Sequence, residues 1–324
     1  MRIGVAGATN WGLTLAWLLA RDDREILAFA RTPGEAGDVD KQRGLARLPE
    51  LHLPPAVHVI TPEEVDTVDA LVVAIPVRSL REFLPRMPFA RNVPVLTGTK
   101  GFESQSHLRV SEVLADLGWT DVSVLSGPTL AREVLRGLPA AAVVASSQPG
   151  SATFWQEALA SPLFRTYSSE DLVGVEVAGA YKNVVAIAAG ASSGLGFGAN
   201  SLAGIMTRGL AEMSRLGMAM GAQQTTFIGL AGVGDLAATC FSPLSRNHQL
   251  GERLARGDGP AEALRNVGEV VEGAATAPVM VELGTQLGVE LPIAAQVSAV
   301  MAGEATVLDA MNALLSRSLK REGI

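Results

Sequence analysis

Short apolar runs that do not alternate with polar residues recur through the first half of the chain: "RIGVAG", "EILAFA", "VHVI", "ALVVAI", "VPVLTG", "VSVLSG" and "AAAVVA". Segments of helical spacing separate them, from Met1 to about Phe164. This alternation predicts a parallel sheet with helices on both faces, and uninterrupted runs such as "ALVVAI" are what strands covered on both sides require. Thr61, followed by Pro62, Glu63 and Glu64, reads as a helix start: an N-cap, a proline at the first helical position, and acids at the positive end of the dipole. After "FRTYSS" the strand pattern stops. Ser168, with Asp171 three residues later, predicts a capping box that opens a long helix and sets a domain boundary near residue 168. Beyond it, apolar residues recur at helical spacing, as in Leu202, Met206, Leu210 and Met213, and again through "APVMVELGTQLG" and "AAQVSAVMAG". The expected fold is an α/β doubly wound sheet over residues 1–168 followed by an all-α domain over residues 169–324.

Composition agrees with two folded domains. The 324 residues are 48% hydrophobic and 18% charged, enough for a large core and more than one core usually spans. A formal net charge of −7 argues against a nucleic-acid partner, which normally meets a basic surface. Cys240 is the single cysteine, so no intramolecular disulfide is possible and a reducing cytoplasm fits. His52, His58, His107 and His248 lack metal-ligand spacing, and no metal is expected. The N-terminus lacks a secretory cleavage site, and the most apolar stretches are broken by charges such as Glu176, Lys182, Arg208 and Glu212. No membrane span is expected. An apolar helical half is compatible with a homodimer.

The first strand runs into "GATNWGLTLA", with Gly7 and Gly12 flanking a tight turn into a helix. In a dinucleotide-binding unit such a turn aims backbone N–H groups and the helix dipole at a pyrophosphate. Thr9 stands where the fingerprint has its middle glycine, so the match is incomplete, and an ordinary tight turn is an equal reading. The second strand ends in "FART", placing Arg31 where an acid usually holds the ribose of NAD. A cation there suits the 2′-phosphate of NADP or stacking on adenine; a solvated arginine is the alternative.

The stretch "EVAGAYKNVVAIAAG" sets Lys182 in a helix apolar on every side, which is a buried helix. Burial disfavours the ammonium and makes a neutral amine accessible near neutral pH, as a general base requires. Asn183 and Glu176 are candidate orienting groups, and Gly179 and Ala180 leave room for a ligand. A buried structural ion pair is the competing account. Four other stretches offer donors: "GTKGFE" with Lys100 at a strand end, "LSGPTLAREV" with Gly127 and Thr129 at the next, "GLAGVGDLAATC" with Asp235, and "SPLSRNHQLG" with Ser245, Arg246 and Asn247. Each alone is more often a turn or a cap. Together they suit a small phosphorylated substrate beside a nicotinamide.

The order "GATNWGLTLA", "TKGFE", "LSGPTLAREV", "VAGAYKNVVAIAAG", "GLAGVGDL", "SPLSRN" and "VVEG" resembles the bacterial NAD(P)-dependent glycerol-3-phosphate dehydrogenases over nearly the whole chain. The resemblance implies a Rossmann domain, a helical domain like that of 6-phosphogluconate dehydrogenase, and reversible reduction of dihydroxyacetone phosphate to sn-glycerol 3-phosphate, a phospholipid precursor. It implies Lys182 as proton acceptor. By the same matching, Lys100, Gly127, Thr129, Lys182, Asp235, Ser245, Arg246 and Asn247 fall at substrate positions. Gly7, Asn10, Trp11, Gly12, Arg31, Lys100, Ala131, Arg246, Val270 and Glu272 fall at cofactor positions for NAD or NADP.

Three stretches depart from the family pattern. Thr9 replaces a glycine, with a side chain expected to crowd the pyrophosphate; Tyr181 replaces an aliphatic residue beside the lysine; and "KQRGLARLPELHLPP" follows its counterpart only loosely. Rival readings are a related two-domain dehydrogenase acting on a hydroxy acid or sugar nucleotide, against which "SPLSRN" and "TKGFE" argue, and a non-catalytic nucleotide sensor, which Thr9 encourages and the lysine pair and Arg246 oppose; a purely structural protein has no reason to keep Lys182 in so apolar a helix.

Overall fold

Successive residues of each central strand go to opposite faces of one sheet. In β1 (Arg2–Ala6), Ile3 and Val5 join one apolar cluster and Ala6 the other; in β2 (Glu25–Phe29), Ile26 and Ala28 oppose Leu27 and Phe29. With cores on both faces, every side chain of these strands beyond the first is buried, which is why their apolar runs do not alternate. The remaining strands are β3 (Val57–Ile60), β4 (Ala70–Val73), β5 (Val95–Thr97), β6 (Val122–Ser126), β7 (Ala140–Ser146) and β8 (Phe164–Ser169). They lie in the order β3-β2-β1-β4-β5-β6-β7-β8. Strands β1 to β6 are parallel, with Arg2 opposite Glu25 and Ile3 opposite Ala70. The chain runs outward from β1 through β2 to β3 and then returns to the other side of β1 as β4, so β1 and β4 flank the topological switch point where such sheets bind ligands.

The computed structural model describes residues 1–21, 23–318 and 321. It divides into two units, one of Met1–Glu103 with Leu108–Leu172, the other of Ser104–His107 with Val173–Ile324.

The structure corrects the sequence reading in three places. The sheet is not wholly parallel: β7 runs antiparallel to β6, and β8 pairs parallel with β7. The chain between β6 and β7 forms only the five-residue helix Ala131–Leu135, and it returns along the edge it left instead of crossing the sheet. Ser168 is not a cap, because it lies within β8 opposite Val144; Ser169 does the local work, its Oγ accepting from the Asp171 N–H at 3.1 Å. The expected helix at Thr61 is a single turn, Pro62–Glu64, whose Glu64 carboxylate accepts from both the N–H and the hydroxyl of Thr61.

The second unit is built of helices. Its first, Leu172–Gly194, has 23 residues and is buried around its whole circumference from Gly174 to Ile187. By length and hydropathy it would pass for a membrane span, but 83% of its apolar window is buried within the protein. Ala199–Ala219, Arg246–Ala255 and Glu272–Leu287 each approach it closely, at Gly209 beside Val185, Gly251 beside Ile187 and Gly273 beside Asn183.

Candidate active site

Lys182 sits at mid-length of the buried helix and is 8% exposed. Its Nζ donates to Asp235 Oδ1 at 2.6 Å and to Thr239 Oγ1 at 2.8 Å. Asp235, 2% exposed, opens the helix Asp235–Phe241 directly after a wide π-type turn over Leu230–Gly234. Such turns are uncommon and cluster at functional sites. Thr239 is one helical turn further on, and its hydroxyl donates to the Asp235 carbonyl at 2.6 Å. The sequence reading missed Thr239, although its spacing of four from Asp235 in "DLAATC" puts the two on one helix face.

Asn183 does not orient the amine. Its Nδ2 donates to the Gly179 carbonyl and its Oδ1 accepts from Asn247 Nδ2 at 3.0 Å. Asn247 in turn accepts the Gly273 N–H at 3.0 Å on its Oδ1. The two amides therefore join three elements: the lysine helix, the start of Arg246–Ala255, and the turn carrying Val270 and Glu272. Ser245 caps that second helix, accepting from the His248 N–H at 3.3 Å. Arg246 stands half-exposed at its first turn, 3.5 Å from Glu269. The helices meet closely because Gly251 has no side chain: a Cβ there would overlap the carbonyl oxygen of Ile187, one turn beyond Asn183.

In the first unit the remaining candidates line one edge of the sheet. Gly7, Arg31, Lys100 and Gly127 follow the carboxyl ends of β1, β2, β5 and β6. Gly7 has φ of +121°, and a side chain on Gly12 would overlap the Gly7 carbonyl, so both positions of the turn require glycine. The helix Asn10–Leu19 starts there, with its N-terminal dipole at the turn. Thr9 turns its side chain back into the protein, its hydroxyl donating to the Ala74 carbonyl at 2.8 Å and accepting from the Gly12 N–H at 2.9 Å. Asn10 Oδ1 accepts from Arg47 Nε at 2.7 Å, Trp11 packs where Gly98 leaves space, and Thr129 donates to the Gly127 carbonyl at 3.2 Å. Arg31 is 80% exposed in its side chain and 3.4 Å from Glu35. Ala131 begins the short helix after β6. A glycine-only turn and a helix N-terminus fit a dinucleotide pyrophosphate, and an exposed cation at the end of β2 fits the adenosine end of the cofactor.

Beside the lysine, burial pushes the Cys240 thiol up to about 12, Lys182 opposing the rise and Asp235 adding to it. That thiol is not a nucleophile near neutral pH. On the other side of the helix Tyr181, fully buried, donates its hydroxyl to Glu212 at 2.6 Å. Among the described residues no group of three His, Cys, Asp or Glu is placed to hold a metal.

Comparison with known proteins places this arrangement. The sequence profile of the NAD-dependent glycerol-3-phosphate dehydrogenase N-terminus matches residues 2–152, and that of its C-terminus residues 171–312. The glycerol-3-phosphate dehydrogenase [NAD(P)+] of Corynebacterium glutamicum (strain R) is 41% identical over 99% of both chains. That of Nitrosococcus oceani is 41% identical over 99% of this chain and 96% of its own. The crystal structure of the Coxiella burnetii glycerol-3-phosphate dehydrogenase, 31% identical, superposes with a TM-score of 0.91 over 98% of this chain and 99% of that one. The chain belongs to the NAD(P)-dependent glycerol-3-phosphate dehydrogenases.

Proposed function

We propose that Lys182 is the proton donor and acceptor of the reversible reduction of dihydroxyacetone phosphate to sn-glycerol 3-phosphate. The observation that carries this reading is an amine held in a buried helix, with Asp235 and Thr239 fixing its position. The nicotinamide cofactor, NAD or NADP, supplies or accepts the hydride at C2. In reduction, Lys182 gives its proton to the carbonyl oxygen; in oxidation, neutral Lys182 takes the proton from the C2 hydroxyl. Asp235 holds the amine through both states, and its partnership with the charged form balances the proton that the lysine carries.

Substrate binding falls to Lys100, Gly127 and Thr129 at the sheet edge, and to Ser245, Arg246 and Asn247 at the start of one helix. Arg246 with that helix N-terminus supplies cation and N–H donors for a phosphate. Both polar ends of Asn247 are engaged by Asn183 and Gly273, which supports an orienting role, with one Nδ2 proton left for the ligand. Gly7, Asn10, Trp11, Gly12, Arg31, Ala131, Val270 and Glu272 form the cofactor positions, and exposed Arg31 favours acceptance of NADP. The reaction takes place in the cytoplasm.

The test is Lys182→Arg. An arginine keeps the positive partner of Asp235 but does not release a proton near neutral pH. Folded Lys182→Arg protein that still binds NADPH should lose turnover of dihydroxyacetone phosphate by about 10²–10⁴-fold. Turnover at the wild-type rate would remove Lys182 from the chemistry.

A further inference from the structure

The turn that follows β2 carries two opposite charges on one short stretch. Arg31 stands just past the strand end, and Thr32 caps the helix Pro33–Gln42, its hydroxyl accepting the Glu35 N–H at 3.2 Å. Glu35 turns back toward the strand. Its Oε2 accepts the Arg31 N–H at 3.1 Å and lies 3.4 Å from Arg31 Nε. From the other side, Arg86 donates its Nη1 to the Arg31 carbonyl at 2.9 Å, and Arg86 is itself paired with both oxygens of Glu63, at 2.7 and 3.1 Å. The Arg31 backbone is therefore held at its N–H and at its carbonyl, while its side chain stays 80% exposed against 29% for Glu35. Glu63 balances the charge of Arg86, which leaves Arg31 and Glu35 as the pair whose partners can change.

The end of the second strand in a dinucleotide-binding sheet meets the adenosine ribose, where a carboxylate accepts the hydroxyls of NAD and a cation meets the 2′-phosphate of NADP. This chain presents both groups there, in contact with each other. An ion pair so exposed is weak, so the guanidinium is available to a stronger partner. A phosphomonoester, with nearly two negative charges, is such a partner. Once Arg31 turns to it, the Glu35 carboxylate faces the phosphate as a like charge.

We propose that Glu35 is a specificity-determining residue for the adenosine end of the cofactor, accepting a ribose hydroxyl of NAD and competing with the 2′-phosphate of NADP for Arg31. The inference rests on Arg31 being a cofactor contact. It assigns the two cofactors to two side chains of one turn: Arg31 favours NADP, Glu35 favours NAD, and the chain is committed to neither.

The test is calorimetric titration of the intact protein with adenosine 2′,5′-bisphosphate and adenosine 5′-monophosphate, which differ only in the 2′-phosphate, and then with NADPH and NADH. Glu35→Gln keeps the side-chain length and an acceptor for the Arg31 N–H but removes the charge. It should bind the bisphosphate and NADPH about tenfold more tightly, and the monophosphate and NADH about threefold more weakly, because a charge-assisted bond becomes a neutral one. A purely structural role in holding the turn predicts weaker binding of all four. In an Arg31→Ala background the gain for the bisphosphate should fall to about threefold, since only like-charge repulsion remains to be relieved. Arg31→Ala alone reports whether Arg31 meets the phosphate. If it weakens the bisphosphate about tenfold while Glu35→Gln shifts all four ligands alike or none, Glu35 is not the discriminator and the proposal is overturned. If Arg31→Ala leaves the bisphosphate unchanged, Arg31 is not the contact, and the proposal falls with that reading.

Discussion

Lys182 and Asp235, 53 positions apart in sequence, meet as a buried ion pair with Nζ 2.6 Å from Oδ1. The contact joins the mid-point of one helix to the first residue of another, so the lysine's reach is set by backbone and not by a loop. Such a pair is also what a purely structural bridge would look like. What separates the two accounts is the consequence of removing the proton while keeping the packing.

Removing Lys182 alone strands a carboxylate that is 2% exposed, and breaking a buried pair on one side costs about 3–5 kcal/mol. Lys182→Met should therefore be destabilised, whereas Lys182→Met with Asp235→Asn should regain most of the loss, because neither buried charge remains. A structural pair predicts that activity returns with stability in the double variant. A proton-transferring lysine predicts a folded double variant with no turnover. Thermal denaturation and a nicotinamide absorbance assay on the same preparations decide between them.

Much of this was legible in the sequence for a definable reason. Two-sided burial leaves continuous apolar runs, so β1, β2 and β4 declared themselves, and an all-round apolar helix made Lys182 conspicuous. What was not legible depended on contacts between distant segments. Nothing in "DLAATC" alone says that Asp235 and Thr239 face a lysine in another helix, and nothing in "SRN" says that Asn247 spends its amide on Asn183 and Gly273. The direction of β7 was hidden because strand composition does not encode orientation. Thr9 looked like an obstruction to a phosphate, but its hydroxyl is bound on both sides inside the protein.

That observation makes Thr9 testable. Its hydroxyl caps the helix Asn10–Leu19 and takes the Gly12 N–H, one of the donors a pyrophosphate would otherwise receive. Thr9→Gly should bind NADPH more tightly at a cost of a few tenths of a kcal/mol, whereas Thr9→Ala loses about 1 kcal/mol of stability. Fluorescence titration of the cofactor checks the first; an unchanged dissociation constant would show that the Gly12 N–H plays no part.

Arg31 gives the cofactor preference a direct readout. With its side chain 80% exposed and only a long contact to Glu35, replacement should leave stability unchanged. Arg31→Ala is expected to reduce kcat/KM for NADPH by about tenfold, equivalent to about 1.4 kcal/mol, and to leave NADH nearly unaffected. Equal losses with both cofactors would point to adenine stacking instead of 2′-phosphate pairing.

Gly251 sets the approach of the Arg246–Ala255 helix to the lysine helix. A methyl group there would overlap the Ile187 carbonyl, so Gly251→Ala must push the helices apart, costing about 1–3 kcal/mol. Because the same helix begins with Arg246 and Asn247, the KM for dihydroxyacetone phosphate should rise alongside the fall in melting temperature. A lower melting temperature with an unchanged KM would uncouple the crossing from the phosphate end.

Tyr181, beside the lysine, has a pH signature through Glu212. Burial raises the Glu212 carboxyl above its ordinary 4.5, while the Tyr181 hydroxyl, the N–H groups of Ile293 and Ala294, and Arg215 pull it down. A raised acid contributes stability that is fully present below the unfolded value and is lost as pH rises through the folded value. Above that value, Glu212 is a buried anion that depends on its donors. Tyr181→Phe removes one donor without changing the ring, so it should cost about 1.5–3 kcal/mol near neutral pH. Because the tyrosine stabilises the ionised form, the deficit should shrink as pH falls and Glu212 takes up its proton. Denaturant melts of both proteins across that range test this; a deficit independent of pH would mean that the hydroxyl serves packing and not the carboxylate.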